Sequence, residues 1–438
     1  MLIATSSNAT TSAAKAPSKS AKAKTASGRQ VGSYYTAWSA GKGFRLKNLD
    51  RSGVASKFTF LNYAFENIYK MEDGTYRCDS GRDLEDDGKA LGMNSSLDYA
   101  NHFAAAESVS GKADTDNQPL AGNFNQLKQL KAKNPNLNVL VVFGGWSWSR
   151  WFSAASATEN LRHTLVASCV DLYIKGNLSM LKGHGGPGAA AGVFDGIDVD
   201  WEFPGVQGES YNTMSPDDKH NFTLLMAEFR TQLDALSKQT RKKYLLTAAV
   251  NSTRGNMNAT EPAEYIKSLD WVSLMTYDFH GNWENTGPAN FQSNLYGDPK
   301  SPDGGSLSID SAVHNIMELG VPADKIVIGV PYYARGWSGV ADTNNGLYQK
   351  AEKPAAGFEL GVETYGVISG RALTKFTDPV TKQLWTYDKG TFWTYDDPAV
   401  IRTKVAYIRS KKLKGIMSWA LDQEDADFSL SKEMVKVR

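Results

Sequence analysis

Residues 194–202, with the sequence FDGIDVDWE, alternate acidic and apolar side chains from Asp198 to Glu202. Successive side chains of a β-strand point to opposite faces, so Asp198, Asp200 and Glu202 are predicted to share one face. Neighbouring acids in this row are then about 6.5–7 Å apart along the strand. Three carboxylates this close do not all ionise in a sheltered site at neutral pH, so one of them holds a proton, as a general acid must. Glu202, at the C-terminal end of the row, is the predicted proton donor.

Strands and helices alternate on both sides of this stretch from Gln30 onward. The predicted strands are Val31–Ala37, Phe58–Phe65, Val139–Gly144, Val193–Glu202, Leu245–Asn251, Trp271–Tyr277, Ile326–Tyr332 and Gly415–Leu421. Helical patterns between them cover Asn123–Lys133, Thr158–Gly176, Pro216–Lys238 (with an N-cap at Ser215), Pro262–Leu269, Ser308–Glu318 and Pro398–Lys411. Eight strand–helix units predict an α/β fold, the (β/α)8 or TIM barrel, whose active sites lie at the C-terminal ends of the strands.

Three segments interrupt this alternation. Residues 1–29 are rich in Ala, Ser, Thr and Lys and are predicted to be a disordered tail or linker. Residues of about 70–120 are polar and acidic, which indicates a long loop with a short helix. Residues 336–395, between strands seven and eight, are rich in Gly, Tyr and Trp and predict a small α+β insertion domain. The barrel itself is then assigned to residues 30–335 and 396–438, with the insertion forming one wall of a cleft.

Composition narrows the class of protein. The formal net charge of +1 over 438 residues gives no electrostatic reason to expect nucleic acid as a partner. No run approaches the roughly 20 apolar residues of a membrane span, and the apolar stretch 1–4 is too short for a signal peptide. The 11 Trp, 19 Tyr and 18 Phe either fill a core or supply surfaces on which flat ligands stack. Of the two cysteines, Cys169 is expected to be a packed core residue rather than a disulfide partner of Cys78.

The acidic row has competing interpretations. A calcium-binding loop also places acids at alternate positions, but it requires turn residues, a Gly and a later Glu. Here Ile197, Val199 and Trp201 are strand formers. Metal binding and a purely structural acid cluster are therefore disfavoured relative to catalysis, and no metal or organic cofactor is expected.

The pattern Asp-x-x-Asp-x-Asp-x-Glu at 195–202 resembles that of glycoside hydrolase family 18, the chitinases. Further motifs similar to those of the family follow in the same order: FGGW at 143–146, SLMTYDFH at 273–280, PYYAR at 331–335 and MSWA at 417–420. The resemblance covers roughly residues 30–425. It includes an insertion before strand eight that is similar to the α+β insertion of the deep-cleft chitinase subfamily.

The resemblance implies retaining hydrolysis of β-1,4-linked N-acetylglucosamine polymers, with the substrate's own 2-acetamido carbonyl as the nucleophile and an oxazolinium ion as the intermediate. It implies that Glu202 is the general acid/base, that Asp200 hydrogen-bonds both Glu202 and the acetamide N–H, and that Asp198 holds Asp200 from beneath. Asp195 is expected to organise the base of the strand. Endo-type action on chitin and chito-oligosaccharides, a monomer and a secreted location are expected with it.

Further site residues are carried over from the same motifs. Tyr277 is expected to hydrogen-bond the attacking carbonyl, Asp278 to bind sugar hydroxyls and Trp419 to form the floor under the sugar. Tyr34 is expected beneath the acids, bonded to the lowest of them. The remaining expected substrate-binding residues are Met275, Gly145, Trp146, Phe65, Trp283, Tyr333 and Arg335. Trp148, Trp151, Trp337, Trp385 and Trp393 either extend a stacking track or pack in a core.

One departure from the family and two alternative functions complete the sequence analysis. Val142 stands where many members have Ser, so Asp198 is expected to lose one hydrogen bond and to have a raised pKa. An endo-β-N-acetylglucosaminidase acting on glycoprotein N-glycans is disfavoured by the Trp-rich cleft and the rim insertion. A lectin that binds chitin without cutting it is disfavoured because Glu202 is intact.

Overall fold

A closed barrel of eight parallel strands in chain order forms the body of the molecule, which confirms the predicted TIM barrel. The computed structural model describes residues 28–438 except 86, 88 and 90, so the predicted tail lies almost wholly outside the described residues. The barrel strands are Gln30–Thr36, Phe60–Glu66, Asn138–Gly144, Gly196–Asp200, Leu245–Asn251, Trp271–Met275, Ile326–Pro331 and Gly415–Trp419. Each overlaps its predicted strand.

The fourth barrel strand separates its side chains between two environments. Ile197 and Val199 pack outward in the main core, between the strands and the surrounding helices. Asp198 and Asp200 are buried on the other face, toward the barrel interior. A smaller apolar cluster fills that interior and includes Tyr34, Phe60, Ala64, Leu140, Val142, Leu245, Trp271, Val327, Met417 and Ala420. Asp198 and Asp200 therefore lie above this apolar cluster, which excludes water from the barrel interior beneath them.

Each of the six predicted helices overlaps an observed helix that begins within two residues of the predicted position, and further helices were not predicted. The α-helices are Leu46–Ser52, Gly122–Lys133, Gly145–Trp148, Phe152–Ser156, Glu159–Cys169, Asp218–Thr240, Arg254–Asn258, Pro262–Tyr265, Ile309–Glu318, Tyr365–Ile368, Pro398–Ser410 and Ser429–Met434. The predicted N-cap at Ser215 is wrong, because the helix begins at Asp218. A turn precedes it, in which the backbone N–H of Ser215 donates to Asp218 Oδ2 at 2.8 Å.

The first insertion contains more strand than the sequence indicated. Two short antiparallel pairs, Tyr69–Lys70 with Tyr76–Arg77 and Asp83–Leu84 with Met93–Asn94, precede a π-helical turn at Ser96–Ala100. A further hairpin, Leu178–Leu181 with His184–Gly186, lies outside the predicted elements.

Cys169 is packed in the main core, as expected, but the expectation that it is not a disulfide partner is wrong. Cys78 and Cys169, 91 residues apart in sequence, form a disulfide bond. The first insertion folds back onto the helix Glu159–Cys169, where the backbone N–H of Cys78 donates to Ser168 Oγ at 3.0 Å. Such a long-range return leaves no periodic signal in the sequence.

The second insertion is an antiparallel sheet placed between the seventh and eighth barrel strands. Its strands are Tyr333–Ser338, Lys353–Pro354, Val362–Thr364, Lys375–Thr377, Leu384–Asp388 and Thr391–Tyr395, with the helix Tyr365–Ile368 between them. The sheet begins at Tyr333, three residues before the predicted boundary. A separate apolar cluster that includes Trp337, Trp385 and Phe392 lies within it.

Candidate active site

A cleft with a cavity of about 570 Å³ opens at the C-terminal ends of the barrel strands. Its walls contain acids, aromatic rings and one arginine that come from five of those strand ends and from the second insertion. The predicted site residues that line it are Phe65, Trp146, Asp200, Glu202, Met275, Tyr277, Asp278, Trp283, Tyr333, Arg335 and Trp419. The remaining three, Asp198, Tyr34 and Gly145, are buried and do not line the cavity.

Asp198 is the lowest acid of the row and is fully buried. The Tyr34 hydroxyl donates to its Oδ2 at 2.7 Å, and the Asn62 amide donates to the same oxygen at 3.1 Å. The hydroxyl of Thr247, on the fifth barrel strand, donates to Oδ1. Burial raises the pKa of Asp198, while the hydrogen bonds from Thr247 and Tyr34 oppose that rise. Asp198 is therefore a fixed group held by three donors.

Asp200 differs from Asp198 in its hydrogen bonding. Its Oδ1 is buried and has no hydrogen-bond partner among the described residues. Burial, followed by the charges of Glu202 and Asp198, raises the pKa of Asp200 well above its usual value. A buried carboxyl oxygen without a donor is costly in a resting protein, so this oxygen is available to a hydrogen-bond donor that enters the cleft.

Glu202 lies just beyond the end of the fourth strand and is half-buried at the cleft. Burial, with a smaller contribution from the charge of Asp278, raises the pKa of Glu202 to about 8. At neutral pH its carboxyl group therefore retains a proton. The row combines a protonated acid at the cleft surface with buried acids beneath it, which is the arrangement that general-acid chemistry requires.

Aromatic rings form the floor beside the acids. Trp419 stacks on Phe65 with ring centroids 5.4 Å apart and lies 5.3 Å from the ring of Tyr34. Gly145, with φ of +77°, lies directly behind Phe65, and a Cβ atom there would come within 2.5 Å of that ring. Burial and the charge of Asp200 raise the pKa of Tyr277, which therefore keeps its hydroxyl proton as a donor.

Arg335 organises the wall that the second insertion contributes. Its Nε donates to Asp278 Oδ1 at 2.8 Å, and its Nη1 donates to Asn282 Oδ1 at 2.7 Å. The guanidinium lies 5.1 Å from the ring centroid of Trp283 and 5.3 Å from that of Tyr333. Asp278 adopts a left-handed backbone conformation, with φ of +57°, which turns the chain sharply at the strand end.

A second cavity of about 300 Å³ shares Phe65, Trp146 and Trp419 with the first, so the cleft continues past the acids. Trp146 is 50% exposed, and its Nε1 donates to Glu209 Oε2 at 2.8 Å. Of the five tryptophans expected either to extend a stacking track or to pack in a core, Trp148 lines this second cavity. Trp337 and Trp385 are buried in the insertion's own cluster, Trp393 is buried in the main core, and Trp151 packs against that core.

Several cleft and supporting residues were absent from the sequence prediction. Those lining the cleft are Phe203, Asn251, Ser252, Thr253, Phe279, Asn282 and Leu307, and those supporting the acids include Asn62, Thr247, Ser149 and Asn212. The segment 251–253 begins at the last residue of the fifth strand, so the rule that sites gather at strand C-termini would have found it. Thr247 left no such signal, because it lies within a strand.

Asp195, at the other end of the acidic stretch, is held by a different set of partners. Lys131 Nζ and Lys242 Nζ each lie 2.7 Å from one of its carboxylate oxygens. The backbone N–H of Val139 donates to Asp195 Oδ2 at 2.9 Å. Asp195 therefore links the third and fourth strands at the end of the barrel away from the cleft.

Comparison with known proteins supplies the context for this geometry. The profile of the family described as Glycosyl hydrolases family 18 matches residues 30–424. Chitinase A1 of Niallia circulans is 33% identical over 92% of this chain and 57% of that protein. Chitinase C of Streptomyces lividans is 35% identical over 90% of this chain and 57% of that protein. The chain thus spans a little over half the length of these curated relatives.

A solved structure extends the similarity to the backbone. The catalytic domain of psychrophilic chitinase B from Arthrobacter TAD20 superimposes with a TM-score of 0.86 at 40% sequence identity. The alignment covers 94% of this chain and 95% of that chain. The similarity therefore includes the barrel and the insertions as well as the acidic stretch.

Proposed function

This chain belongs to glycosyl hydrolases family 18, and from that premise we propose that it is a chitinase. It hydrolyses β-1,4 linkages of N-acetylglucosamine polymers with retention of configuration, through the substrate-assisted route that is an exception to the two-carboxylate scheme. The observation that carries the proposal is the buried acidic row, which ends in a Glu202 whose pKa is raised to about 8. A proton held there at neutral pH is available to the glycosidic oxygen.

Each acid has a separate role in this proposal. Glu202 protonates the leaving oxygen, and the acetamido carbonyl of the bound sugar attacks the anomeric carbon to give an oxazolinium ion. Asp200, whose Oδ1 has no donor among the described residues, accepts a hydrogen bond from the acetamide N–H. Its negative charge stabilises the cationic intermediate in a site of low effective dielectric. Glu202 then removes a proton from the water that opens the ring.

The aromatic and polar walls hold the sugar for this reaction. The face of Trp419 and the hydroxyl of Tyr277 line the cleft beside Asp200, where they support the sugar ring and orient its acetamido carbonyl. The Asp278–Arg335 pair supplies hydroxyl-binding groups, and Met275 completes that wall. The exposed rings of Trp146 and Trp283 extend the cleft in the manner expected for a polymer, and the continuous second cavity supports endo-type action on chitin chains.

A product profile on chitin hexamer with a reducing-end label tests the activity. We expect β-anomeric products, which report retention, and internal cleavage, which reports endo-type action. Fully deacetylated chitosan should be inert, because it lacks the acetamido nucleophile. Rapid cleavage of chitosan would contradict the substrate-assisted step, and exclusive release from one chain end would contradict endo-type action.

Assaying the protein on colloidal chitin and on a high-mannose glycoprotein tests two alternative functions. An endo-β-N-acetylglucosaminidase would cut a high-mannose glycoprotein and leave colloidal chitin intact. A lectin would bind chitin and leave both substrates uncut. We expect hydrolysis of colloidal chitin and none of the glycoprotein, because the cleft combines exposed tryptophans with an intact Glu202.

We further propose that the protein acts as a secreted monomer without a metal or organic cofactor. The disulfide between Cys78 and Cys169 supports an oxidising compartment. In the described part of the chain, none of the helices has both the length and the apolar character needed to cross a bilayer. Size-exclusion chromatography tests the monomer, assay of the culture medium tests secretion, and assay after dialysis against EDTA tests whether a metal is needed.

A further inference from the structure

The hydrogen-bonded pairing between the third and fourth barrel strands ends immediately before Glu202. The last paired residues are Gly144 and Asp200, and the third strand then turns into the short helix Gly145–Trp148. Glu202 lies two residues past this point, beyond the last residues of the fourth strand that pair with either neighbouring strand. Its backbone N–H and C=O therefore need partners from outside the sheet.

Ser149 provides the partner for the N–H. The backbone N–H of Glu202 donates to Ser149 Oγ at 2.8 Å. The same hydroxyl has two acceptors within reach, the carbonyl oxygens of Gly145 at 2.8 Å and Asp200 at 3.1 Å. Ser149 is completely buried. The Ser149 hydroxyl thus supplies the hydrogen bond that strand pairing no longer provides, and it connects the ends of the third and fourth strands to Glu202.

Asn212 provides the partner for the carbonyl. Its Nδ2 donates to the backbone oxygen of Glu202 at 3.0 Å. By contrast, no hydrogen bond from a hydroxyl, an amide or a charged nitrogen to the Glu202 carboxyl group is found in the part of the chain that the structure describes. The position of the carboxyl group is therefore determined mainly by its main chain.

We propose that Ser149 is a positioning residue for Glu202, acting through the main-chain hydrogen bond to place the carboxyl group over the scissile oxygen. The proposal rests on the proposed function, because a position matters here only if Glu202 delivers a proton. The side chain of Ser149 does not line the cleft, so its effect on substrate binding is indirect. Small displacements of a catalytic group reduce rate far more than binding.

The test is Ser149→Ala in the full chain, assayed on chitin hexamer. We expect kcat to fall by about 10- to 100-fold, as a displacement near 1 Å produces, with little change in KM. The alkaline limb of the pH–rate profile should move to lower pH, because a displaced Glu202 is less buried. Ser149→Thr, which keeps the hydroxyl, should restore much of kcat and return the limb.

Ser156→Ala is the matched control. Ser156, seven residues further along, is also completely buried, but among the described residues its hydroxyl donates only to Ser153 O, within its own helix. Its loss should lower thermal stability about as much as Ser149→Ala and leave the pH limb in place. If Ser149→Ala folds poorly, Asn212→Ala offers a second measurement. Asn212 is half-buried, and this substitution removes its hydrogen bond to the backbone carbonyl of Glu202. We expect a smaller loss of kcat than for Ser149→Ala.

Failure of the proposed function and failure of the positioning role of Ser149 give different results. If the unmodified protein leaves chitin hexamer intact, the proposed function is wrong. If it cleaves the hexamer and Ser149→Ala cleaves it with the same kcat and pH limbs, the positioning role is overturned while the function stands. A fall in kcat that Ser156→Ala reproduces in full would also overturn it.

Discussion

Asp195 and Asp200 stand five residues apart in one stretch of chain, yet they occupy opposite environments. Asp195 is enclosed by two lysine ammonium groups and a backbone N–H. Asp200 has a buried oxygen to which none of the described residues donates a hydrogen bond, and it lies beside two other acids. At the base of the barrel the Asp195 carboxylate is paired with two ammonium groups, whereas at the mouth Asp200 lies beside two other acids.

This difference shows how one acidic motif provides both stability and chemistry. Removing a carboxylate whose partners are in place destabilises the folded state, because it leaves buried positive charge without a counterion. Carboxyl groups without donors raise one another's pKa values and are stabilised when a donor or a cation enters. The sequence alone gives the same residue type in both places, so partners rather than composition separate the roles.

Glu202→Gln is the largest expected effect and tests the mouth of the barrel. We expect a loss of activity of about 10²–10⁴-fold or more, because general-acid catalysis is removed, while binding to chitin is retained. Turnover of chitin hexamer and a chitin pull-down measure the two properties. As a control, Glu228→Gln on the outer helix Asp218–Thr240, where Glu228 pairs with His163, should keep full activity. Equal losses in both variants would contradict a catalytic role.

The second prediction concerns the mouth of the barrel and is a dependence of the free energy of unfolding on pH. With its pKa raised to about 8, Glu202 binds a proton more tightly in the folded chain than in the unfolded one. Its contribution to stability is therefore fully present below the ordinary carboxyl pKa and is lost as pH rises toward 8. Urea unfolding between pH 5 and pH 9, about the range where Glu202 titrates, should show a decline that Glu202→Gln makes shallower. An identical decline in the variant would refute this assignment.

Asp195→Asn tests the base of the barrel. We expect it to lower the free energy of unfolding by about 2 kcal/mol, since two partly buried lysines lose their counterion. At a temperature where the variant is folded, kcat on chitin hexamer should not change. Urea denaturation and steady-state kinetics measure the two quantities. A drop in kcat without a change in stability would mean that the base of the strand participates in the chemistry.

Val142→Ser is the smallest expected effect. Val142 pairs with Asp198 across the third and fourth strands and lies in the barrel interior. A hydroxyl there would add a fourth donor to Asp198 and lower its pKa, which should move the acid limb of the pH–rate profile by less than about one pH unit. Val141→Ser, on the outward face of the same strand, should leave that limb unchanged. An unmoved limb in Val142→Ser would count against the inference from the missing Ser.

Local patterns were sufficient to predict the barrel, and the family resemblance supplied eleven of the residues that line its mouth. Each predicted strand overlaps an observed one because alternating or continuous apolar runs bounded by turns are local signals. The partners of the acids were not predictable in this way. Asn62, Thr247 and Ser149 are ordinary strand or loop residues whose importance comes from contacts made across the closed barrel. The same holds for Cys78 and Cys169, which only the return of the first insertion brings together.

The closure of the barrel has a practical consequence. The first strand enters at Gln30, whose backbone N–H donates to Lys414 O beside the start of the eighth strand, on the face opposite the cleft. A bead, a sensor surface or a fused carrier coupled near Gln30 would therefore sit behind the molecule. Insoluble fibres would still approach the mouth without obstruction, so immobilisation through that end should preserve turnover on solid material.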